Sequence, residues 1–220
     1  MIGGMSGKLA GAIGEGMSDA VAIFMNGDDA VAEYSYNRAD GIRRLRYTGY
    51  PNTYSDVLGQ SVHNDGEIYA ATMWKLRELW LASGRSMDTL WDRVIGGMNH
   101  TPATPAFEDM RDGILVEMTD PAEACLVWTA FAQFGIGVGA DGRVSPSFNV
   151  TESFAKPVEC GGAEPPPPPS GITLTTRGYK VKGLRRVDLN WSGASTAGVD
   201  IYRNGLLIMN TANTGAWTCR

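Results

Sequence analysis

Five consecutive prolines, Pro165 to Pro169, constrain the fold of this 220-residue chain more than any other stretch. Proline fixes φ and carries no backbone N–H, so a run of five belongs inside neither a helix nor a sheet. With Gly161, Gly162 and Gly171 around it, the stretch 161–171 reads as a semi-rigid polyproline spacer between two unlike halves. Beyond it the hydrophobic period is two. Ile172–Thr175, Val187–Trp191 and Val199–Tyr202 alternate as strands, and Asn204-Gly205 supplies the turn of a two-residue hairpin. The 49 residues 172–220 are half of the ~100 in a full immunoglobulin-type sandwich, which predicts a small, incomplete all-β sandwich module.

Before the spacer the period is helical. Apolar spacing and punctuation predict helices near 5–26, 64–82, 87–96, 105–117 and 121–134, and hence a mainly α unit over 1–160. Gly27-Asp28-Asp29 breaks the first helix. Asn64 with Glu67 three later fits a capping box, Pro105 a first helical position, and Asp120-Pro121-Ala122-Glu123 a cap with a first-turn proline. No stretch reaches the ~18 apolar residues of a membrane span. The net charge of −5 argues against nucleic acid as a partner. That charge is uneven: residues 172–220 hold seven Lys/Arg against two Asp, leaving 12 basic and 22 acidic residues in 1–171. The three cysteines, Cys125, Cys160 and Cys219, lack metal-type spacing, and one disulfide with a spare thiol suits an exported protein.

Chemistry concentrates in a few places. Glu15 and Asp19, four apart on the first helix, project both carboxylates from one face. Such a pair costs about 0.2–0.5 kcal/mol when exposed and far more when desolvated. Buried, it requires a metal ion, an imidazolium or an arginine; half-exposed, it is two solvated acids. Arg43, Arg44 and Arg46 form a basic cluster, which in most settings is simply solvated. His63 stands at a helix start, where an imidazole either packs in a loop or donates a hydrogen bond to a developing oxyanion. His100 carries no assigned chemistry.

Four ordered motifs give these residues a common setting: Gly14-Glu15-Gly16-Met17-Ser18-Asp19, Gly41-Ile42-Arg43-Arg44, Ser61-Val62-His63-Asn64-Asp65-Gly66-Glu67-Ile68-Tyr69-Ala70 and Val94-Ile95-Gly96-Gly97-Met98. Together they resemble the C-terminal half of the catalytic domain of fungalysin-like zinc metallopeptidases, relatives of thermolysin. Phe107-Glu108-Asp109-Met110-Arg111-Asp112 and Phe148-Asn149-Val150-Thr151-Glu152-Ser153-Phe154 continue the likeness towards Cys160. The resemblance implies the helical C-terminal subdomain of a thermolysin-like enzyme over 1–160. The spacer and the start of a fibronectin- or immunoglobulin-like appendage follow it. It implies that Glu15 is a zinc ligand and that Asp19 is the carboxylate orienting a ligating histidine. It makes His63 the catalytic donor to the tetrahedral oxyanion. Arg43 becomes the arginine that binds the substrate's backbone carbonyl, with Arg44 its competitor. Protein or peptide substrates and an extracellular location come with it.

One departure bears on activity. Such enzymes need H-E-x-x-H, two histidine ligands one turn apart with a glutamate base between them. His63 and His100 are the only histidines, and neither forms that motif. Counting back from Glu15 by the roughly two dozen residues such sites use places the motif, and the other two zinc ligands, before Met1. The chain then reads as a fragment, inactive alone. The alternative is a non-catalytic protein that uses its basic β-module on an acidic or glycan surface, and the third reading is a helical domain whose motifs match by chance.

Overall fold

The computed structural model describes residues 6–142, 150–163, 171–181, 184–203 and 206–219. It divides into two compact units, Met1–Ala163 and Glu164–Arg220. In the first, helix α1 spans Lys8–Asn26 and a single turn, α2, spans Glu33–Tyr36. Four longer helices follow: α3 (Val62–Ala82), α4 (Met87–Gly97), α5 (Phe107–Val116) and α6 (Pro121–Gln133). The unit is therefore helical, as its 3.6-residue period predicts.

Helix α1 buries Ala12, Ile13, Gly16, Ala20, Ile23 and Phe24, the stripe a core-facing helix needs. It ends at Gly27, whose left-handed φ of 67° lets its N–H close on Ile23 O. Helix α3 is the central element, burying Ile68, Tyr69, Met73, Leu76 and Trp80. Around it the aromatic core closes: Tyr54 stacks on Phe107 at 5.1 Å between ring centroids, and Tyr69 meets Phe107 and Phe131 at 5.6 and 6.4 Å. The tail 150–163 is tied both to α6 and to the segment that follows it. Thr151 and Ser153 bridge to Asp141 and Ile136, and Cys125 on α6 forms a disulfide with Cys160.

Two helix starts differ from their sequence expectation. Helix α3 begins at Val62 with Ser61 as its cap, accepting from the Asn64 N–H at 3.4 Å. Asn64 is therefore not the cap, because Ser61 takes that role and Glu67 is held by Tyr50 and Arg44 instead. His63 accordingly sits inside the first turn rather than before it. Helix α5 starts at Phe107, not at Pro105. Ala106 is the cap of this helix, and its N–H is taken by Asp109 Oδ2 at 2.8 Å. Ser86 caps α4, and Asp120 caps α6 as its sequence predicts.

The second unit is antiparallel β. Strands β1 (Thr173–Val181), β2 (Leu184–Ser192) and β5 (Ala216–Cys219) form one sheet in the order β1-β2-β5. Strands β3 (Gly198–Arg203) and β4 (Leu206–Ala212) form a second. Leu174 pairs with Trp191 and Leu189 with Trp217, which puts these four side chains on one face. The Asn204-Gly205 turn and Pro165–Pro169 lie outside the described residues, although Arg203 pairs directly with Leu206.

Candidate functional site

Helices α1 and α3 cross at two glycines. A Cβ on Gly16 would fall inside van der Waals contact of Gly66 O, and one on Gly66 would lie 2.7 Å from Ala12 O. Only bare backbone permits that approach, and it sets the flanking side chains against each other. Glu15 Oε2 on α1 lies 2.7 Å from His63 Nδ1 on α3. Both remain reachable from solvent, with about a third of the Glu15 side chain and 61% of that of His63 exposed.

The segment 41–50 completes the cluster. It starts at Gly41, where φ is 75° and any side chain would strike Val31 O; Ile42 N then donates to that same oxygen at 2.8 Å. Arg43 next forms a two-pronged pair with Asp19, Nε to Oδ2 at 2.6 Å and Nη2 to Oδ1 at 2.8 Å. Its guanidinium also reaches Glu15 Oε2 at 3.5 Å. The Tyr47 hydroxyl, buried, donates to Asp19 Oδ2 as well. The pair of acids thus finds its compensation in one arginine, one imidazole and one phenol.

Arg44 turns the other way. Its Nε donates to Glu67 Oε2 at 3.0 Å, its backbone N–H to Glu67 Oε1 at 3.2 Å, and its Nη2 to Asn64 O at 3.0 Å. Tyr50 Oη donates to Glu67 Oε2 at 2.7 Å and accepts from Arg44 Nη2 at 3.1 Å. Of the two arginines, only Arg43 has a Glu15 or Asp19 ion pair among the described residues.

The electrostatics follow from this pairing. The hydrogen bond to Asp19 outweighs desolvation and holds Arg43 more firmly protonated than a free guanidinium. Burial works against the charge of Arg44, and the adjoining Tyr50 and Glu67 more than offset it. Burial pushes the Tyr47 and Tyr50 phenols well up, reinforced by Asp19 for Tyr47 and by Glu67 for Tyr50. Both tyrosines stay neutral donors across the physiological range.

The sequence reading named Glu15, Asp19, Arg43, Arg44 and His63 but not Tyr47, Tyr50 or Glu67. A tyrosine in a loop has no periodic signal, and the sequence offers Glu67 only as the capping-box partner of Asn64. Asp19 was expected beside a ligating imidazole; its partners among the described residues are Arg43 and Tyr47. His100 Nε2 lies 2.6 Å from Glu117 Oε1, away from this cluster's residues.

A catalytic zinc takes three protein ligands. Among the described residues no group of three His, Cys, Asp or Glu side chains can hold a metal ion. Glu15, a partly exposed carboxylate beside an imidazole, fits as one corner of such a site, and the remaining donors have no counterpart among these residues.

The helical unit thus sets a carboxylate, an imidazole and a locked arginine against one another at one helix crossing. The sequence profile of the fungalysin metallopeptidase family (M36) matches residues 2–140, and the chain belongs to that family. It is 35% identical to extracellular metalloproteinase 4 of Trichophyton rubrum, over 60% of this chain and 26% of that relative. It is 34% identical to extracellular metalloproteinase 4 of Trichophyton soudanense (60% and 42%) and 33% identical to extracellular metalloproteinase MEP of Fusarium vanettenii (70% and 29%). The chain thus spans less than half the length of each of these three relatives.

Proposed function

We propose that residues 1–160 are the C-terminal, helical part of the catalytic domain of a secreted zinc metalloendopeptidase. In this reading the domain is completed by an H-E-x-x-H helix encoded upstream of Met1. The observation that carries it is the meeting of Glu15, His63 and Arg43 at the α1–α3 crossing, within 2.7 and 3.5 Å of one carboxylate oxygen. Three chemically distinct roles converge there. Zinc, held by Glu15 and the two histidines of the missing helix, would supply an activated water for peptide-bond hydrolysis. Glu15 gives the anionic ligand. Asp19 Oδ1 carries one hydrogen bond from Arg43, and a carboxylate oxygen accepts two, which leaves room for the N–H of a ligating histidine. His63, on a solvent-reachable turn, donates to the oxyanion that develops on the scissile carbonyl. Arg43 offers its remaining N–H groups to the substrate's backbone carbonyl. Substrates are proteins or peptides. The Cys125–Cys160 disulfide and the extracellular relatives support an oxidising, extracellular location.

The reading is tested by translating the DNA upstream of Met1. H-E-x-x-H is expected within roughly 25 codons of Glu15, the spacing such a site uses. An open frame across that distance without the motif would remove the peptidase reading. A stop codon there would leave the binding alternative, in which the basic β-unit engages an acidic or glycan surface. The 220-residue chain by itself is expected to leave casein intact.

A further inference from the structure

Arg43 and Arg44 are neighbours in sequence and identical in chemistry, yet they end on different helices. Asp19 cannot choose between two guanidinium groups by charge or shape. The choice has to come from elsewhere, and the second carboxylate is placed to make it. Glu67 is 2% exposed, and both its oxygens face the 41–50 segment. Oε2 accepts from the Arg44 side chain and from Tyr50; Oε1 accepts from the Arg44 backbone N–H. The backbone contact matters most for register, since a slip of one residue would bring a different N–H to Oε1 and carry either Arg44 towards Asp19 or Arg43 towards Glu67.

The arrangement is built twice. Arg43 and Tyr47 close on Asp19 of α1, while Arg44 and Tyr50 close on Glu67 of α3. Each set takes one arginine and one tyrosine from the same ten-residue segment and one carboxylate from a helix. The segment is therefore staked to both helices of the crossing that brings Glu15 to His63.

We propose that Glu67 is a positioning residue: by capturing Arg44 it fixes the register of residues 41–50 and so selects Arg43 as the guanidinium that faces Asp19 and Glu15. Its meaning for peptide binding rests on the peptidase reading, whereas the placement of Arg43 does not. Removing the charge of Glu67 frees Arg44 to compete with Arg43 for the acids on α1. Removing Arg44 as well takes the competitor away and restores Arg43. A residue that merely props the fold would show no such rescue.

The test is nuclear magnetic resonance of the arginine Nε–H groups in the 220-residue chain, assigned with Arg43→Lys and Arg44→Lys. The Arg43 Nε–H, held on Asp19, is expected to exchange slowly with solvent. In Glu67→Gln its exchange should quicken roughly tenfold or more, the factor that follows from losing one hydrogen bond to a charged group. In Glu67→Gln/Arg44→Gln it should return to the slow rate. An unchanged Arg43 signal in Glu67→Gln overturns the proposal, as does a double variant that exchanges as fast as the single one. Should Glu67→Gln not fold, Glu67→Asp, whose shorter side chain cannot hold the same contacts, carries the test: faster exchange at Arg43 supports the proposal, and an unchanged slow rate overturns it. No hydrolysis is read, so failure of the peptidase reading leaves the result standing.

Discussion

At the scale of single residues, the cluster is a problem of charge burial. Asp19 keeps only 5% of its side chain exposed and Arg43 13%, so neither ion has enough water to stand alone. Breaking such a pair from one side strands the other charge. Asp19→Ala is therefore expected to lower unfolding stability by about 3 kcal/mol in urea titration, and Asp19→Ala/Arg43→Met to recover a good part of that loss. Tyr47, Tyr50, Tyr54 and Tyr69 make a second prediction. Their phenols ordinarily titrate at 10.0, and burial raises all four in the folded chain. A raised folded value means the neutral form is the native one. The stability this contributes is fully present below pH 10 and is lost as pH climbs beyond it, because only the unfolded chain can then ionise. Tyrosinate absorbance from these four should appear together with loss of helical circular dichroism; ionisation without unfolding would contradict the burial. The need of Glu15 and Asp19 for a cation was legible in their spacing. The identity of their partners was not, because Tyr47 lies 28 residues from Asp19 and side-chain pairings at that distance leave no period in the sequence.

At the scale of elements, the α1–α3 crossing determines whether there is a site. Gly16 and Gly66 allow the helices to touch backbone to backbone, and the stripe continues at Gly11, where a Cβ would lie 2.9 Å from Val62 Cγ1. Gly66→Ala gains helix propensity but pushes Ala12 O and Gly16 N of α1 away from α3, and overpacking of this kind costs about 1–3 kcal/mol. The expected outcome is a lower melting temperature together with an altered His63 imidazole resonance, since the Glu15–His63 contact opens with the helices. A variant as stable as the parent with that resonance unmoved would show that the crossing has slack. Helix existence was legible for α1 and α3 to α6, because apolar stripes of two turns or more specify a period; the single turn α2, which buries no residue, leaves no such stripe. Helix starts were less so. Ser61 and Asn64 both make acceptable caps locally, and the decision fell to Glu67, whose partners come from a distant loop.

At the scale of the whole molecule, the chain is a helical unit and a β unit with different periods of hydrophobicity, joined through the proline run. The switch of period, together with the prolines, made that division readable. The disulfide was less readable, since three cysteines allow three pairings. Cys125–Cys160 ties the tail 150–163 to α6, and Glu152 adds hydrogen bonds to the loop before α3 through Thr53 and Ser55. Burial works to raise the Glu152 carboxyl, but those hydrogen bonds outweigh it and hold it below its ordinary value. Family membership gives the helical unit its context, and the central proposal is that Glu15 is a metal ligand. The direct measurement is zinc content, by atomic spectroscopy after exhaustive dialysis, of the chain extended upstream through the proposed H-E-x-x-H segment, with and without Glu15→Gln. One zinc per chain is expected in the extended parent and a loss of most of it in the variant, because a neutral amide replaces the anionic donor. Full retention of zinc in Glu15→Gln would contradict the claim and place the third ligand elsewhere.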